Sequence, residues 1–121
     1  MPSEEGAIFP RSRRLLKPDD YRRVFSEGLR SADSLFLVLA LPNGMRHARL
    51  GLAVSKKNSR QAVDRNRIKR VIRESFRQHQ QALAGLDLVV VSRGGIAGSD
   101  NKVCFASLSQ HWRRVAEKCV D

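Results

Sequence analysis

The sequence predicts one small domain that mixes helices with a β-sheet. Three observations predict it. The chain has 121 residues, enough for a single modest core. Residues 35–41, 48–54 and 86–92 are strand-sized runs, apolar or alternating. Three further segments, near 18–27, 60–80 and 100–119, repeat apolar residues at helical spacing. No internal repeat, low-complexity tract or second domain is visible. Residues 1–16, with Gly6, Pro10 and the cations Arg11, Arg13 and Arg14, read as a flexible basic arm, and 17–121 as the folded unit.

Pro18 suits the first turn of a helix, and Asp19 and Asp20 favour its positive end. Gly28 stops it. Tyr21, Val24 and Phe25 share one side by i, i+3, i+4 spacing, and that spacing favours core packing over a surface for stacking bases. The run 35–41 reads as a buried strand. The turn Pro42-Asn43-Gly44 then brings 48–54 back antiparallel beside it. On that second strand Leu50, Leu52 and Val54 point one way and Arg49, Gly51 and Ala53 the other. The small face suits either a shallow floor for a nucleic-acid strand or close packing by a helix.

A basic loop over 55–59 leads into the long helix. There Ile68, Val71, Ile72, Ser75 and Phe76 form an inner face, while Asn66, Lys69, Arg70, Arg73 and Arg77 form the outer one. Gly85 breaks the chain before the β-branched strand 86–92. The last helix starts at Asp100 or Asn101 as its cap. Its stripe of Cys104, Phe105, Leu108, Trp112, Val115 and Cys119 makes Trp112 a core anchor. The two cysteines stand about 22 Å apart along that helix, too far to bridge. They fit reduced thiols in a cytosolic protein.

Charge carries the functional signal. The chain has 23 Lys and Arg against 12 Asp and Glu, a net +11. Residues 56–77 alone hold nine bases (Lys56, Lys57, Arg60, Arg65, Arg67, Lys69, Arg70, Arg73, Arg77) and two acids, Asp64 and Glu74, hence 9 − 2 = +7. Residues 1–30 give only 7 − 5 = +2. Two acids cannot neutralise nine bases through i, i+4 pairs, so the segment is built to meet a polyanion. A-form RNA hides its base edges in a deep, narrow major groove, so an RNA partner is held through phosphates, 2′-hydroxyls and shape. A helix in the DNA major groove is the competing picture, but a strand precedes this helix where a helix-turn-helix needs another helix.

Catalytic groups of the chain's own are not assembled by the pattern. The acids are scattered, and adjacent Asp19 and Asp20 diverge on a helix. His47, His79 and His111 fall in separate elements and read as surface residues. There is no P-loop, no Gly-rich dinucleotide turn and no paired Cys or His spacing for zinc. The acidic start Met1–Pro10 lacks the apolar region of a secretory signal, and no run of about 20 apolar residues could span a membrane.

Ser55-Lys56-Lys57 followed by Ala62 through Arg77, with Arg65-Asn66-Arg67-Ile68-Lys69-Arg70 at its centre, resembles the signature of the bacterial ribonuclease P protein subunit family. Phe9-Pro10-Arg11, Arg14-Leu15, Tyr21 through Phe25, Arg49 through Leu52 and Asp87 through Val91 extend the resemblance from Phe9 to about Val115. It implies an α+β fold. The sheet would have four strands, mostly antiparallel, with helices packed on one face and a cleft on the other. Its βαβ crossover would be left-handed, of the ribosomal protein S5 domain 2 type, against the usual right-handed rule. The fourth strand rests on the resemblance alone.

The function implied is that of a non-catalytic subunit. It would join a catalytic RNA that holds Mg²⁺ and cuts the 5′ leader from precursor tRNA, in the cytoplasm, with no small-molecule substrate and no membrane. Arg65, Asn66, Arg67, Lys69, Arg70 and Arg73 match the family's RNA-contacting helix, and Lys56 and Lys57 its neighbouring loop. Arg60 and Arg77 extend that basic surface. Tyr21 and Phe25 match aromatic positions lining the leader cleft. Leu39 falls where some members carry a further aromatic, and offers apolar contact without a phenol hydrogen bond. The alternatives are a stand-alone RNA-binding module or chaperone, and a nuclease that acts by itself.

Overall fold

The computed structural model describes residues 11–15 and 17–119. A 3-10 turn (Arg11–Arg13) is followed by α1 (Pro18–Glu27), β1 (Leu29–Ala32), β2 (Phe36–Pro42), β3 (Arg49–Ala53), α2 (Ala62–Gln78), β4 (Leu86–Ser92) and α3 (Asn101–Cys119). The strands form one mixed sheet in the order β1-β2-β4-β3. β1 pairs antiparallel with β2, and β2 antiparallel with β4. β3 pairs parallel with β4, so α2 is the crossover between them.

Two sequence expectations change here. First, β2 and β3 are not hairpin partners, because β4 lies between them. All but one of the seven residues of β4 are buried. A strand covered on both faces belongs in the middle of a sheet, and β4 displaces β3 from the side of β2. The turn after β2 instead closes on the start of β4: Asn43 N–H donates to the Gly85 carbonyl at 2.9 Å. Second, the helices do not all share one face. α2 and α3 cover the face made by Phe36, Val38, Ala40, Leu88 and Val90, and bury Ile68, Ile72, Phe76, Leu108 and Trp112 there. α1 lies across the opposite face, where Val24 packs with Leu15, Leu39 and Val89. The period-2 alternation of β2 and β4 serves both layers.

The fourth strand is β1. It follows α1 directly because Gly28 has no side chain: a Cβ there would fall 2.4 Å from the Val24 carbonyl oxygen, to which Gly28 N–H donates. Of the arm expected over 1–16, residues 1–10 and Leu16 lie outside the described residues. Its end docks on the sheet edge, where Leu15 is buried and its N–H donates to the Leu50 carbonyl at 3.0 Å. Among the described residues no helix is long and apolar enough to cross a membrane.

Candidate nucleic-acid interface

α2 is amphipathic as its sequence dictates: Ile68, Val71, Ile72, Ser75 and Phe76 are buried. The inner face is fixed by Trp112, whose indole N–H donates to Ser75 Oγ at 2.8 Å and whose ring meets Phe76 edge-on at 6.3 Å. This anchoring aims the opposite face outward, with Asn66 and Arg70 exposed and Lys69 and Arg73 half-buried. The loop cations Lys56, Lys57 and Arg60 are exposed beside its start.

The nine bases of this segment divide by what their head groups touch. Arg67 pairs with Asp64 at 2.9 Å and reaches Asn101 Oδ1 of α3 at 2.6 Å, so it ties the two helices together. Arg77 pairs with Glu74, and a hydrogen bond from Arg77 is the largest influence holding the Glu74 carboxyl below its ordinary pKa. Arg65 donates through Nη1 to the carbonyls of Ser59 and Arg60 at 3.0 and 2.8 Å and clamps the preceding loop. Lys56, Lys57, Arg60, Lys69, Arg70 and Arg73 remain (9 − 3 = 6), and none has a carboxylate within ion-pair distance among the described residues. Both acids of the segment are thus consumed locally, while most of its positive charge faces outward.

The opposite face of the sheet carries the second candidate surface. Tyr21 of α1 lies over Gly51 of β3, so close that a Cβ on Gly51 would sit 2.7 Å from the ring. The small face of β3 therefore accepts a helix at this position. Phe25, one turn along α1, is 40% exposed and offers a ring to solvent. Leu39 is fully buried beneath α1 with Val24 and Val89, so it shapes the floor from below and presents no surface of its own. The partly exposed floor comes from Leu37 and Val91, directly paired across β2 and β4.

Sequence reasoning missed the group that holds α1 in place. Asp87 is 1% exposed and accepts a bidentate pair from Arg49, at 2.8 Å to Oδ1 and 2.6 Å to Oδ2. Asn43 adds a further donor to Oδ1 at 2.9 Å. Arg49 also stands 3.8 Å from Asp20 on α1, which links that helix to the sheet. The hydrogen bond to Asp87 is the main cause raising the Arg49 pKa. A signal existed: an Asp inside the run Leu86–Ser92 has to find a cation or donors. His111, expected on the surface, is buried on α3. Its Nδ1 is 2.7 Å from Ser31 Oγ, and Nε2 lies 3.2 Å from Asp33 Oδ2 without the alignment of a hydrogen bond.

No three His, Cys, Asp or Glu side chains converge among the described residues. Asp87 is already taken by Arg49 and Asn43.

The two layers and the outward cations define a class: a small basic α+β domain in which one helix carries more positive charge than the carboxylates near it among the described residues balance. Known proteins place the class. The Ribonuclease P family model matches residues 9–116. The ribonuclease P protein component of Thioalkalivibrio sulfidiphilus is 48% identical over 113 residues, 93% of this chain and 94% of that protein. That of Escherichia coli O157:H7 is 44% identical over 106 residues, 88% and 89% of the two chains. The solved RNase P protein of Staphylococcus aureus gives a TM-score of 0.77 at 34% identity, covering 86% of this chain and 94% of that one. That of Thermotoga maritima gives 0.75 at 32%, covering 84% and 96%. The chain belongs to the ribonuclease P protein family.

Proposed function

We propose that this protein is the RNA-binding subunit of a cytoplasmic ribonuclease P, joining a catalytic RNA and raising its affinity for precursor tRNA. The observation that carries the reading is the set of six cations on α2 and its loop, without carboxylate partners among the described residues, in a chain of this family. Such cations neutralise phosphates and release counterions, which gives affinity without base readout. Arg forks suit phosphate oxygens, and Lys adds point charge. The cleft side serves the 5′ leader. Phe25 and Tyr21 offer rings to unpaired bases, each stack being worth about 1–3 kcal/mol. Leu37 and Val91 supply a flat apolar floor.

The reading divides the labour between the two partners. Among the described residues no three His, Cys, Asp or Glu side chains gather to hold a metal ion, and in this reading Mg²⁺ and the attacking water belong to the RNA partner. Reconstitution at limiting Mg²⁺ tests the reading. The protein with the catalytic RNA should remove the leader from precursor tRNA and leave a 5′ phosphate on the mature end, while neither component alone should do so under those conditions. Leader removal by the purified protein alone, or no effect of the protein on the RNA's reaction, would overturn it.

A further inference from the structure

We propose that the start of α2 is a built seat for one phosphodiester, formed by the Ser59 hydroxyl and the open backbone N–H groups of Ala62 and Val63, with Lys57 and Arg60 at its rim. Lys57, Ser59, Arg60, Val63 and Gly98 line an open hollow there. Two independent features point to an anion. The helix begins without a side-chain cap on Gln61, and the N–H groups of Ala62 and Val63 have no acceptor among the described residues. Those donors and the helix dipole favour negative charge. Separately, Ser59 is only 3% exposed, and its Oγ has no hydrogen-bond partner among the described residues. A buried hydroxyl left unpaired costs stability unless something comes to meet it.

The surroundings hold the seat open. Arg65 grips the carbonyls of Ser59 and Arg60 and fixes the loop across the helix start. Asp64 shares the hollow, and its carboxylate is occupied by Arg67. Lys57 and Arg60 have no carboxylate in reach among the described residues, so the rim is cationic. The assignment to a phosphodiester rests on the RNA-binding reading above. The occupancy of the seat by an anion does not.

Amide chemical shifts of the full chain, titrated with inorganic phosphate and separately with dimethyl phosphate, test it without any RNA. Saturable shifts at Ala62 and Val63 are expected with both. Ser59→Ala should bind about tenfold more weakly, the loss of one hydrogen bond to an anion, and should also raise the melting temperature of the unliganded protein. A purely structural hydroxyl would show the opposite. Ala62→Pro removes one donor at a position where proline fits a helix start, and Gln61 already has the extended backbone (ψ 137) that precedes proline; it too should bind more weakly. Parent-like binding by both variants, or shifts confined to the Arg70–Arg73 face, overturns the seat. Saturation by inorganic phosphate alone overturns the diester. Because reconstitution is a separate measurement, loss of either result leaves the other standing.

Discussion

Trp112 is the largest fully buried side chain, and it joins α3 to α2 by packing and by its bond to Ser75. Trp112→Ala should cost about 3–5 kcal/mol, read as a shift in the urea midpoint; a negligible shift would remove it from the core. His111 sits on the same helix in a different environment. Arg114 donates to Ser31 Oγ at 2.9 Å, and the Ser31 hydroxyl is placed to donate to His111 Nδ1. That arrangement suits neutral His111 with its proton on Nε2, towards Asp33. Burial pushes the His111 pKa down, and nearby Asp33 opposes this without reversing it. Unfolded histidine titrates near 6.5. The folded state therefore binds protons more weakly, and stability present above about pH 6.5 is lost as the pH falls below it. Asp33 acts in a lower window. Burial disfavours its charge, but the Ser107 hydroxyl and the N–H groups of Phe36 and Leu35 outweigh that and bring its pKa to about 2. Its contribution is complete above about pH 4 and fades as the pH drops towards 2. Urea midpoints should therefore fall between about pH 7.5 and 5.5 in the parent and change less in His111→Gln. Equal slopes in both would refute the neutral buried imidazole.

Within α2, neighbouring arginines do different work, and single substitutions separate them. Arg70→Ala should reduce the salt slope of RNA binding by about 1 and leave the urea midpoint almost unchanged, since Arg70 is exposed and unpaired among the described residues. Arg67→Ala should lower the midpoint measurably, because it removes the tie between Asp64 and Asn101. The reverse ranking would mean that the helix is turned the other way. The periodicity of 62–78 made the two faces legible, since burial of Ile68, Val71, Ile72 and Phe76 dictates where the rest must point. It could not show that Arg65 and Arg67 bend back onto the protein: a flexible four-bond stem lets a guanidinium reach a carbonyl or a neighbouring helix that sequence spacing does not reveal. The elements were legible unevenly for similar reasons. The bounds of α1 and β4 follow from Pro18, Gly28 and a β-branched run. β1 has only four residues, Leu-Arg-Ser-Ala, with no β-branched side chain, and its position depends on β2 beside it. The order of strands is a non-local property. A short Pro-Asn-Gly turn suggested a hairpin, but the doubly covered β4 required the centre.

Across the whole molecule, the sheet separates two packing layers of unequal weight. The α2/α3 side buries most of the core, whereas α1 is held on the other side by Val24, the stacking of Tyr21 on Gly51, and the Asp20–Arg49–Asp87 chain. The lighter layer is the one that frames the proposed leader cleft, so its geometry can be altered while the heavier one stands. Gly51→Ala puts a methyl group 2.7 Å from the Tyr21 ring. The ring must move, and α1 with it, at a cost of about 1–3 kcal/mol for overpacking. Hydrogen exchange should then quicken in α1 while α2 and α3 keep their protection. In the reconstituted enzyme, affinity should fall for tRNA precursors carrying a leader and hold for mature tRNA, because the α2 cations lie on the far side of the sheet. Equal loss for both RNAs, or quicker exchange throughout the chain, would mean that the two layers are not independent and that α1 is part of the common core.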